Sequence, residues 1–482
     1  MLFVENIFDR ARKNPERVAL KTQASSWTYS GLIKEINEKA EFLKESGLET
    51  GEPIGIAFPN SMEFIVTLLA AELTCHPAVL LGAVLKPREI RYHIENSGIR
   101  RILASPALAN IMQEVGNGER HRNFPEIDSW IFHTQRRLSR FKEGDFICQL
   151  TSGTNGMAKA AIRTSTAVLS EIENTARALG ISSDDTFLTI PPIHHSFGLI
   201  GGALTPLHSG AVLILMNGFF TADVKKYIVE EKTTVLFAVP FMYHLLNQAG
   251  EDGFEDFSSL RYCLSAGAPL SDDSAFSFKK RYGKYIYQDY GSTETGVMCL
   301  NLEKGETGKC VGKPVGDRLI NVFGDDGKPL PFGLEGELRT KSTADARAYL
   351  YPDELNRQAY HEDWLTLGDY GYVMESGEVY VTGRKSNMIN VAGLKVDPAE
   401  VEEIIQNVHG VKEVVVVGVP SESGGQVVKA VIVPRESGVD KKQVIQYCRE
   451  NLSNFKVPRI IEFIDELPRS QTGKIIRKLL VY

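Results

Sequence analysis

The sequence predicts an α/β protein with a large N-terminal domain of helix-covered sheets plus a β-rich subdomain, followed by a small α+β C-terminal domain. Up to about residue 291, short apolar runs alternate with segments of helical periodicity, a pattern typical of largely parallel sheets covered by helices. From about Asp317 the chain shows hairpin punctuation instead, at Asp326-Gly327 and Gly333. After Gly383 about a hundred residues carry their own helices and strands, enough for a separate domain.

Elements of the N-terminal part are assigned from the spacing of apolar residues. Helices are predicted where these residues recur every three or four positions, and the first such segment ends at Gly47. The predicted helices are residues 27–47, 61–75, 87–98, 221–232, 241–248 and 272–283. Short apolar runs bounded by turn residues predict strands at 53–59, 76–81, 100–105, 186–192, 211–216, 233–240, 261–267 and 284–291.

The same rules divide the C-terminal part. Helices are predicted at 398–408, 441–452 and 474–482, and strands at 412–420, 427–434 and 460–465. Ligands of parallel α/β sheets lie at the carboxyl ends of the strands, so the loops that follow strands are the candidate functional segments.

Composition excludes several classes of protein. The 482 residues carry a net charge of −7, and no basic tract is interleaved with aromatic residues, so nucleic acid is not an expected partner. No apolar run reaches the roughly 18 residues of a membrane span, because the best candidate is interrupted by Glu72. The six cysteines form no CxxC pair, and the charged N-terminus lacks an apolar export segment. A reducing, cytoplasmic setting is predicted.

A loop rich in glycine and hydroxyl residues follows the apolar run 146–150. It contains Thr151, Ser152, Gly153, Thr154, Asn155 and Gly156 and ends at Lys159. Glycines let backbone N–H groups approach an anion, hydroxyls donate hydrogen bonds, and the lysine adds positive charge. It is not a Walker loop, because the spacing differs and Ala160 stands where a magnesium-binding Ser or Thr would follow the lysine. By itself, a segment of this kind is more often an ordinary turn than a phosphate site.

Three further segments carry candidate chemistry, although each alone could be a polar turn or a solvated charge. After a predicted strand, Asp289, Tyr290 and Gly291 precede Thr293 and Glu294. A hydroxyl beside a carboxylate can hold a phosphate oxygen and Mg²⁺ together. Asp369 and Arg384 each follow a glycine, and a carboxylate at such a turn either caps amides or binds ribose hydroxyls. Near the end, Lys474 follows Thr472-Gly473.

In order and spacing, these segments resemble the motifs of the adenylate-forming superfamily of acyl-CoA synthetases, aryl-acid and peptide-synthetase adenylation domains, and luciferases. The resemblance covers essentially the whole chain. The segments that carry it are TSGTNGMAK, PIHHSFG, SAGAPL, YGSTE, EGEL, GDYG, GRKSNMINVAGLKVDPAEVE and RSQTGK.

The resemblance implies two half-reactions: attack of a carboxylate on the α-phosphate of ATP, then displacement of AMP by a thiol. It implies an ATP- and acid-binding domain at 1–382 with its β-rich part at about 310–382, a hinge at 383–388 and a mobile lid domain at 389–482 that carries the catalytic lysine. ATP, Mg²⁺ and CoA, the last as co-substrate, are the implied ligands.

The resemblance also assigns roles to individual residues. The expected catalytic residues are Lys474, Thr293, Glu294 and His195, with Glu294 as the Mg²⁺ ligand. The expected ATP- and AMP-binding residues are Thr151, Ser152, Gly153, Thr154, Asn155, Gly156, Lys159, Gly267, Ala268, Asp289, Tyr290, Gly291, Thr293, Asp369, Arg384 and Lys474. The expected acid pocket contains His195, Phe197, Gly198, Ala266, Gly267 and Gly291. The expected thioester segment is Gly393, Leu394 and Lys395.

The sequence departs from the family pattern at the phosphate loop and the hinge. Asn155, Ala158 and Ala160 replace a threonine, a proline and a glycine that the family prefers, and we expect these changes to weaken the grip on ATP. Ser386 stands at the hinge position, where Asp or Lys is usual.

The acid and the thiol are less defined by sequence. No aspartate that could hold an amino-acid ammonium lies near residues 190–202, and the run 197–202 is apolar with apparent room, so a fatty or aryl acid is expected. His195 occupies a gating position, whereas His194 is expected at the surface or as a cap. CoA is the expected acceptor; a ligase that loads an acyl-carrier protein and, from another class, a degenerate nucleotide-binding regulatory protein are the alternatives.

Overall fold

The structure is a computed structural model that describes residues 2–83, 85–133, 140–151, 159–250, 255–268, 270–303, 309–351, 354–384, 389–391, 394–420, 426–435, 438–452, 454–470 and 475–481. The chain divides into two compact units. The first comprises Met1–Leu319 with Thr340–Leu365, and the second comprises Ile320–Arg339 with Thr366–Tyr482. The domain limits at 382 and 388 expected from sequence remain predictions.

The described helices follow the chain as α1 (Phe3–Lys13), α2 (Tyr29–Glu45), α3 (Met62–Leu73), α4 (Pro87–Ser97), α5 (Ala109–Val115), α6 (Ser165–Leu179), α7 (Thr205–Ser209), α8 (Thr221–Glu230), α9 (Pro240–Gln248), α10 (Asp272–Tyr282), α11 (Glu354–Ala359), α12 (Pro398–Gln406) and α13 (Lys441–Asn451). A π-helical segment, Phe197–Leu204, leads directly into α7. Short 3₁₀ turns occupy Pro106–Leu108 and Arg477–Leu480.

The strands up to the middle of the chain are β1 (Val18–Lys21), β2 (Ser26–Thr28), β3 (Ile54–Ala57), β4 (Ala78–Leu80), β5 (Arg101–Ala104), β6 (Gly118–Phe124), β7 (Ile127–Phe132), β8 (Asp145–Thr151), β9 (Lys159–Thr164), β10 (Thr186–Thr189), β11 (Val212–Leu215), β12 (Val235–Ala238), β13 (Tyr262–Ser265) and β14 (Ile286–Ser292). Those that follow are β15 (Gly296–Asn301), β16 (Cys310–Pro314), β17 (Leu319–Phe323), β18 (Gly336–Lys341), β19 (Ala348–Tyr351), β20 (Tyr360–His361), β21 (Trp364–Val373), β22 (Val379–Arg384), β23 (Ile389–Val391), β24 (Leu394–Val396), β25 (Val411–Pro420), β26 (Gln426–Pro434) and β27 (Ile460–Phe463).

Two sheets form the centre of the first unit. In one, the strand order is β16-β15-β14-β13-β12-β10-β11-β1-β2, and β14, β13, β12, β10, β11 and β1 pair in parallel. In the other, the order is β19-β9-β8-β4-β3-β5-β7-β6, with β8, β4, β3 and β5 parallel. The predicted alternation of strands and helices is therefore confirmed here.

Helices cover both faces of these sheets. The largest apolar cluster joins α1, α2, α3 and α6 to strands of both sheets, and its members include Phe64 and Leu68 of α3 together with Phe187 and Leu213 of the strands. A second cluster packs α4 on the outer face of the β8-containing sheet, and a third packs α8, α9 and α10 on the outer face of the other. Burying an apolar side chain of this size contributes about 1.5–3 kcal/mol, so the layers are held mainly by apolar burial.

In the second unit, the β-rich part contains strands in the order β17-β18-β21-β22. Strands β23 and β24 pair with each other, and β25, β26 and β27 form a sheet packed against α12 and α13. The predicted helix at 474–482 is wrong: a 3₁₀ turn spans Arg477–Leu480 instead. Arg477 is held by the Glu402 carboxylate at 2.6 Å and the Val416 carbonyl at 2.7 Å, contacts that fix this turn on β25 and α12.

A buried ion pair joins α6 to β9 in the first unit. Arg163 is fully buried and Glu171 is 3% exposed, and the guanidinium lies 2.5 Å from the carboxylate. Arg163 also donates to the Ala344 carbonyl at 2.6 Å, and Glu171 accepts the Val297 N–H at 3.1 Å. Gly296 lies against the pair at φ +63°, and a Cβ there would sit 2.0 Å from the Glu171 carboxylate. The pair thus connects β9, α6, β15 and the segment before β19.

Replacing Arg163 with Met should lower the free energy of unfolding by about 3–5 kcal/mol, because Glu171 would remain as an uncompensated buried charge. Chemical denaturation monitored by circular dichroism measures the change. Lys34→Met is the control, since Lys34 and Glu38 form an exposed pair at 3.9 Å, which should contribute little. Equal shifts in the two variants would contradict the role of the buried pair.

Candidate active site

The carboxyl ends of the parallel strands in the two sheets of the first unit approach each other at His194. This residue follows β10, and its carbonyl accepts a long hydrogen bond of 3.4 Å from the side chain of Gln149 in β8. Its ring also packs against Gly82, just after β4, where a Cβ would lie 2.9 Å from the ring. Strand β8 and the segments after β4 and β10 therefore meet at the edge where ligands of such sheets bind.

The stem of the predicted phosphate loop is a β-hairpin. Thr151 at the end of β8 pairs with Lys159 at the start of β9. The other predicted members of this loop lie outside the described residues: Ser152, Gly153, Thr154, Asn155, Gly156 and Ala158. The Lys159 ammonium lies 5.5 Å from the centroid of the Tyr349 ring, on the neighbouring strand β19.

Ala160 belongs to the apolar core. It is fully buried in the same cluster as Cys148 and Ile162. Successive side chains of a strand point to opposite faces, so the Ala160 methyl group points away from the face of Lys159. Ala160, which replaces the glycine that the family prefers, therefore contributes to packing of the sheet.

The segment at the end of β14 combines buried and accessible groups. Burial, reinforced by the nearby Glu171 carboxylate, raises the pKa of Asp289 well above its usual value. Tyr290 and Thr293 are half-buried, and Gly291 is exposed. A Cβ at Gly291 would lie 2.0 Å from the Gly296 carbonyl oxygen, so the tight turn over this segment requires glycine.

Glu294 is held at several atoms. Its carboxylate Oε1 accepts the Tyr349 hydroxyl at 2.6 Å, its carbonyl accepts the Ala346 N–H at 2.6 Å, and its own N–H is donated to Ser292 Oγ at 3.1 Å. Within the described part of the chain, no donor approaches Oε2. The same part of the chain contains no cluster of three His, Cys, Asp or Glu side chains able to hold a metal. One held carboxylate with an open oxygen suits Mg²⁺, which takes few carboxylates plus phosphate oxygens.

The loop after β13 lies beside this segment, because β13 and β14 are parallel neighbours with Ser265 opposite Gln288. Ala266 is buried, whereas Gly267 and Ala268 are exposed. Gly267 has φ +87°, and a Cβ there would meet no atom within 4 Å. The structure thus places the predicted adenine-flanking residues and Tyr290 at one edge of one sheet.

Three glycines of the run 197–202 are closely packed, so the expectation of room there is wrong at Gly198, Gly201 and Gly202. A Cβ at Gly198 would lie 2.6 Å from the Pro192 carbonyl oxygen, and one at Gly201 would lie 2.9 Å from the Phe237 ring. At Gly202, the Thr189 side chain occupies the space of a Cβ, and the Thr189 hydroxyl donates to the Gly202 carbonyl at 2.7 Å. These glycines let the π-helical segment approach β10 and β12.

The rings of the two adjacent histidines contact each other at a tilt of 46°. Their ring centroids are 4.1 Å apart, and both residues are half-buried. Burial, with a smaller contribution from His195, lowers the pKa of His194 to about 3. The expectation that His194 is a surface or capping residue stays a prediction, since the residue is half-buried. His195 lies beside it, next to Phe197, whose ring centroid is 4.9 Å from that of Phe237.

In the second unit, the predicted ribose-binding residues come together. Asp369 in β21 and Arg384 in β22 face each other in register, and the guanidinium Nε donates to Asp369 Oδ1 at 2.6 Å. Asp369 is 3% exposed and follows Gly368, which has φ +76°. Leu394 and Lys395 lie in β24. Ser386, Gly393 and Lys474 lie outside the described residues.

Four residues that support the site carry no signal in the sequence: Arg163, Glu171, Gln149 and Tyr349. The first three are buried polar residues, and Tyr349 is 5% exposed. No local motif marks them, because each acts through a partner that is distant in sequence or on another element.

Comparison with known proteins identifies the family. The family model described as AMP-binding enzyme matches residues 7–350, and the model described as AMP-binding enzyme C-terminal domain matches residues 400–474. The chain belongs to the AMP-binding enzymes. The predicted superfamily, the predicted fold class and the prediction of an enzyme are thereby confirmed.

The AMP-binding enzymes similar to this chain include CoA ligases. It is 28% identical to a feruloyl-CoA synthase of Amycolatopsis sp over 476 residues, covering 97% of this chain and 96% of that one. This chain is 27% identical to the long-chain-fatty-acid–CoA ligase FadD13 of Mycobacterium tuberculosis, and the alignment covers 94% of this chain and 92% of that one. The ATP-bound crystal structure of MatB from Rhodopseudomonas palustris has the same fold, with a TM-score of 0.88 at 24% identity over 100% of this chain and 98% of that one.

No helix among the described residues is long and apolar enough to cross a membrane. The cytoplasmic setting remains a prediction from composition.

Below pH 6.5, His194 should destabilise the protein. The unfolded chain takes up a proton at an ordinary histidine pKa of 6.5, whereas the folded chain takes it up only near pH 3, so the folded state loses stability as the pH falls through this window. We expect wild type to lose roughly 1–2 kcal/mol more than His194→Gln between pH 7 and pH 5. Chemical denaturation of both proteins at pH 7 and pH 5 measures the free energy of unfolding. Equal losses of stability in wild type and His194→Gln would contradict the low pKa of His194.

Proposed function

We propose that the protein uses ATP to convert a fatty or aryl carboxylic acid to an acyl-adenylate and then transfers the acyl group to CoA, releasing AMP and pyrophosphate. One observation carries the proposal. The Lys159 cation and the Glu294 carboxylate both contact Tyr349, so a cation suited to phosphate and a carboxylate suited to Mg²⁺ lie at one edge of the first unit. The family and its CoA-ligase relatives support the reaction class.

In this proposal, the first unit holds the triphosphate and the adenine. Lys159 and the loop before it hold the β- and γ-phosphates, and Thr293 contacts the α-phosphate. Gly267, Ala268 and Tyr290 enclose the adenine, with Asp289 supporting this segment from its buried position. Mg²⁺ bound at Glu294 would offset negative charge on the phosphate oxygens.

Asp369 and Arg384 in the second unit are the proposed ribose ligands. Arg384 orients the Asp369 carboxylate by a charge-assisted hydrogen bond, and a carboxylate held in this way is a suitable acceptor for ribose hydroxyls. Lys474 is proposed to bridge the carboxylate and the α-phosphate, because attack of one anion on another is limited by repulsion and by charge developing at phosphorus. One preorganised electrostatic donor can supply about 3 kcal/mol toward such a transition state. The Gly393–Lys395 segment is the proposed path of the pantetheine thiol.

The acid is proposed to be apolar. The segment after β10 presents Phe197 beside Phe237, and the region 190–202 contains no aspartate to bind an ammonium group. The relatives act on feruloyl and long-chain fatty acyl groups by their names, which supports an aryl or fatty acid. Neighbouring atoms occupy the space beside the Cα atoms of Gly198, Gly201 and Gly202. Other residues that line the acid-binding site would therefore limit the size of the acid.

Acid-dependent pyrophosphate release tests the proposal. A panel of fatty, aryl and dicarboxylic acids is incubated with ATP and Mg²⁺, with either CoA or hydroxylamine as acceptor. We expect pyrophosphate with fatty or aryl acids and acyl-CoA when CoA is present. Hydroxamate without acyl-CoA would favour a carrier protein as the acceptor. Nucleotide binding without pyrophosphate from any acid would favour the regulatory alternative.

Lys474→Ala should reduce the rate of pyrophosphate release by about 100-fold or more while ATP binding survives, because the lost cation acts mainly in the transition state. Pyrophosphate-release kinetics and equilibrium ATP binding measure the two effects. Lys478→Ala is the matched control, since Lys478 is an exposed lysine in the neighbouring 3₁₀ turn and should keep wild-type rates. Near-wild-type release by Lys474→Ala would refute the assignment.

A further inference from the structure

We propose that Tyr349 is a positioning residue that orients Glu294 for Mg²⁺ and thereby links the metal site to Lys159. The inference rests on the proposed function, because it concerns how the ATP site is built. Tyr349 is 5% exposed, and its hydroxyl donates to Glu294 Oε1 at 2.6 Å.

The hydrogen bond fixes which carboxylate oxygen is available. Glu294 is 7% exposed, and Oε1 is occupied by the tyrosine hydroxyl. Oε2 takes no donor from the described residues and is the oxygen left for a cation. Groups that hydrogen-bond to a metal ligand orient it, and their loss typically costs about 10–100-fold in metal affinity.

The tyrosine ring also faces the phosphate-loop lysine. The Lys159 ammonium lies 5.5 Å from the ring centroid, within the range of a cation–π contact. Tyr349 pairs with Ala161 across β19 and β9, and Ala161 shares a strand face with Lys159. One side chain therefore touches the carboxylate through its hydroxyl and the cation through its ring.

The backbone of Tyr349 is itself fixed. Asn356 in α11 accepts the Tyr349 N–H at 2.7 Å and donates to the Tyr349 carbonyl at 2.9 Å. On the preceding residues, Ala346 N–H is donated to the Glu294 carbonyl at 2.6 Å and Arg347 N–H to the Ile162 carbonyl at 2.9 Å. The segment before β19 is thus bonded to both β9 and the Glu294 turn, which limits movement of the tyrosine relative to either.

A neighbouring tyrosine provides a matched control. Tyr360 is half-buried, its ring centroid is 6.5 Å from that of Tyr349, and its hydroxyl donates to the Ala346 carbonyl at 2.6 Å. Tyr349→Phe and Tyr360→Phe each remove one hydroxyl from the same part of the first unit. Only the former removes a hydrogen bond to the Glu294 carboxylate.

The test measures equilibrium ATP binding by calorimetry at a series of free Mg²⁺ concentrations, with no acid present. For Tyr349→Phe, we expect the Mg²⁺ concentration at half-maximal effect to rise roughly tenfold. ATP binding in EDTA and the melting temperature should change little. Tyr360→Phe should keep the wild-type Mg²⁺ dependence. An unchanged Mg²⁺ dependence in Tyr349→Phe, or an equal shift in both variants, would overturn the inference.

A double-mutant cycle separates positioning from general support of the structure. If Tyr349 acts through the carboxylate, Tyr349→Phe should add little to the Mg²⁺ dependence of Glu294→Gln, whereas independent effects would add. Full additivity would overturn the inference. Wild-type protein whose ATP binding ignores Mg²⁺ would refute the proposed function as well, so the two failures are distinguishable.

Discussion

The ion pair between Arg163 and Glu171 is the interaction on which the arrangement of the first unit depends. Both groups are removed from water, and such charges persist only when partnered. Their remaining bonds reach the Ala344 carbonyl and the Val297 N–H, so one pair fixes the start of β15 and the approach to β19 relative to β9. The need for glycine at position 296 follows directly, because the carboxylate occupies the space of a side chain.

From this anchor, the candidate site is assembled by strand register. The pairing of β9 with β19 brings Tyr349 alongside the strand that begins at Lys159, and the backbone bond of Ala346 brings the same segment to Glu294. A second connection lies at His194, whose carbonyl follows β10 of one sheet and accepts a hydrogen bond from Gln149 in β8 of the other sheet. Side chains that are far apart in sequence therefore converge without a shared motif. In the second unit, register alone aligns Asp369 with Arg384.

Much of this could be predicted from sequence, for physical reasons that differ between residues. Alternating apolar runs predict the strands and helices, and the order and spacing of the motifs made Glu294, Asp369 and Arg384 candidates, of which Asp369 and Arg384 form a hydrogen bond. The buried Arg163–Glu171 pair and Tyr349 could not be found, since their roles depend on the order of strands in the sheet, which periodicity does not reveal. The glycines at 198, 201 and 202 were misinterpreted, because a glycine indicates equally an open space or a closely packed neighbour. The last helix was wrong because contacts of Arg477 with Glu402 and Val416 override the local pattern.

The two hydrogen bonds between the Asn356 side chain and the Tyr349 backbone also affect association with other molecules. Strand β19 lies at the edge of its sheet, and an edge strand normally offers free N–H and C=O groups to a strand of another molecule. At Tyr349 both groups are already bonded to the amide of Asn356, and the Leu350 carbonyl accepts from Arg140 at 3.0 Å. The side chains that hold the site in register therefore also protect this edge against strand addition and aggregation.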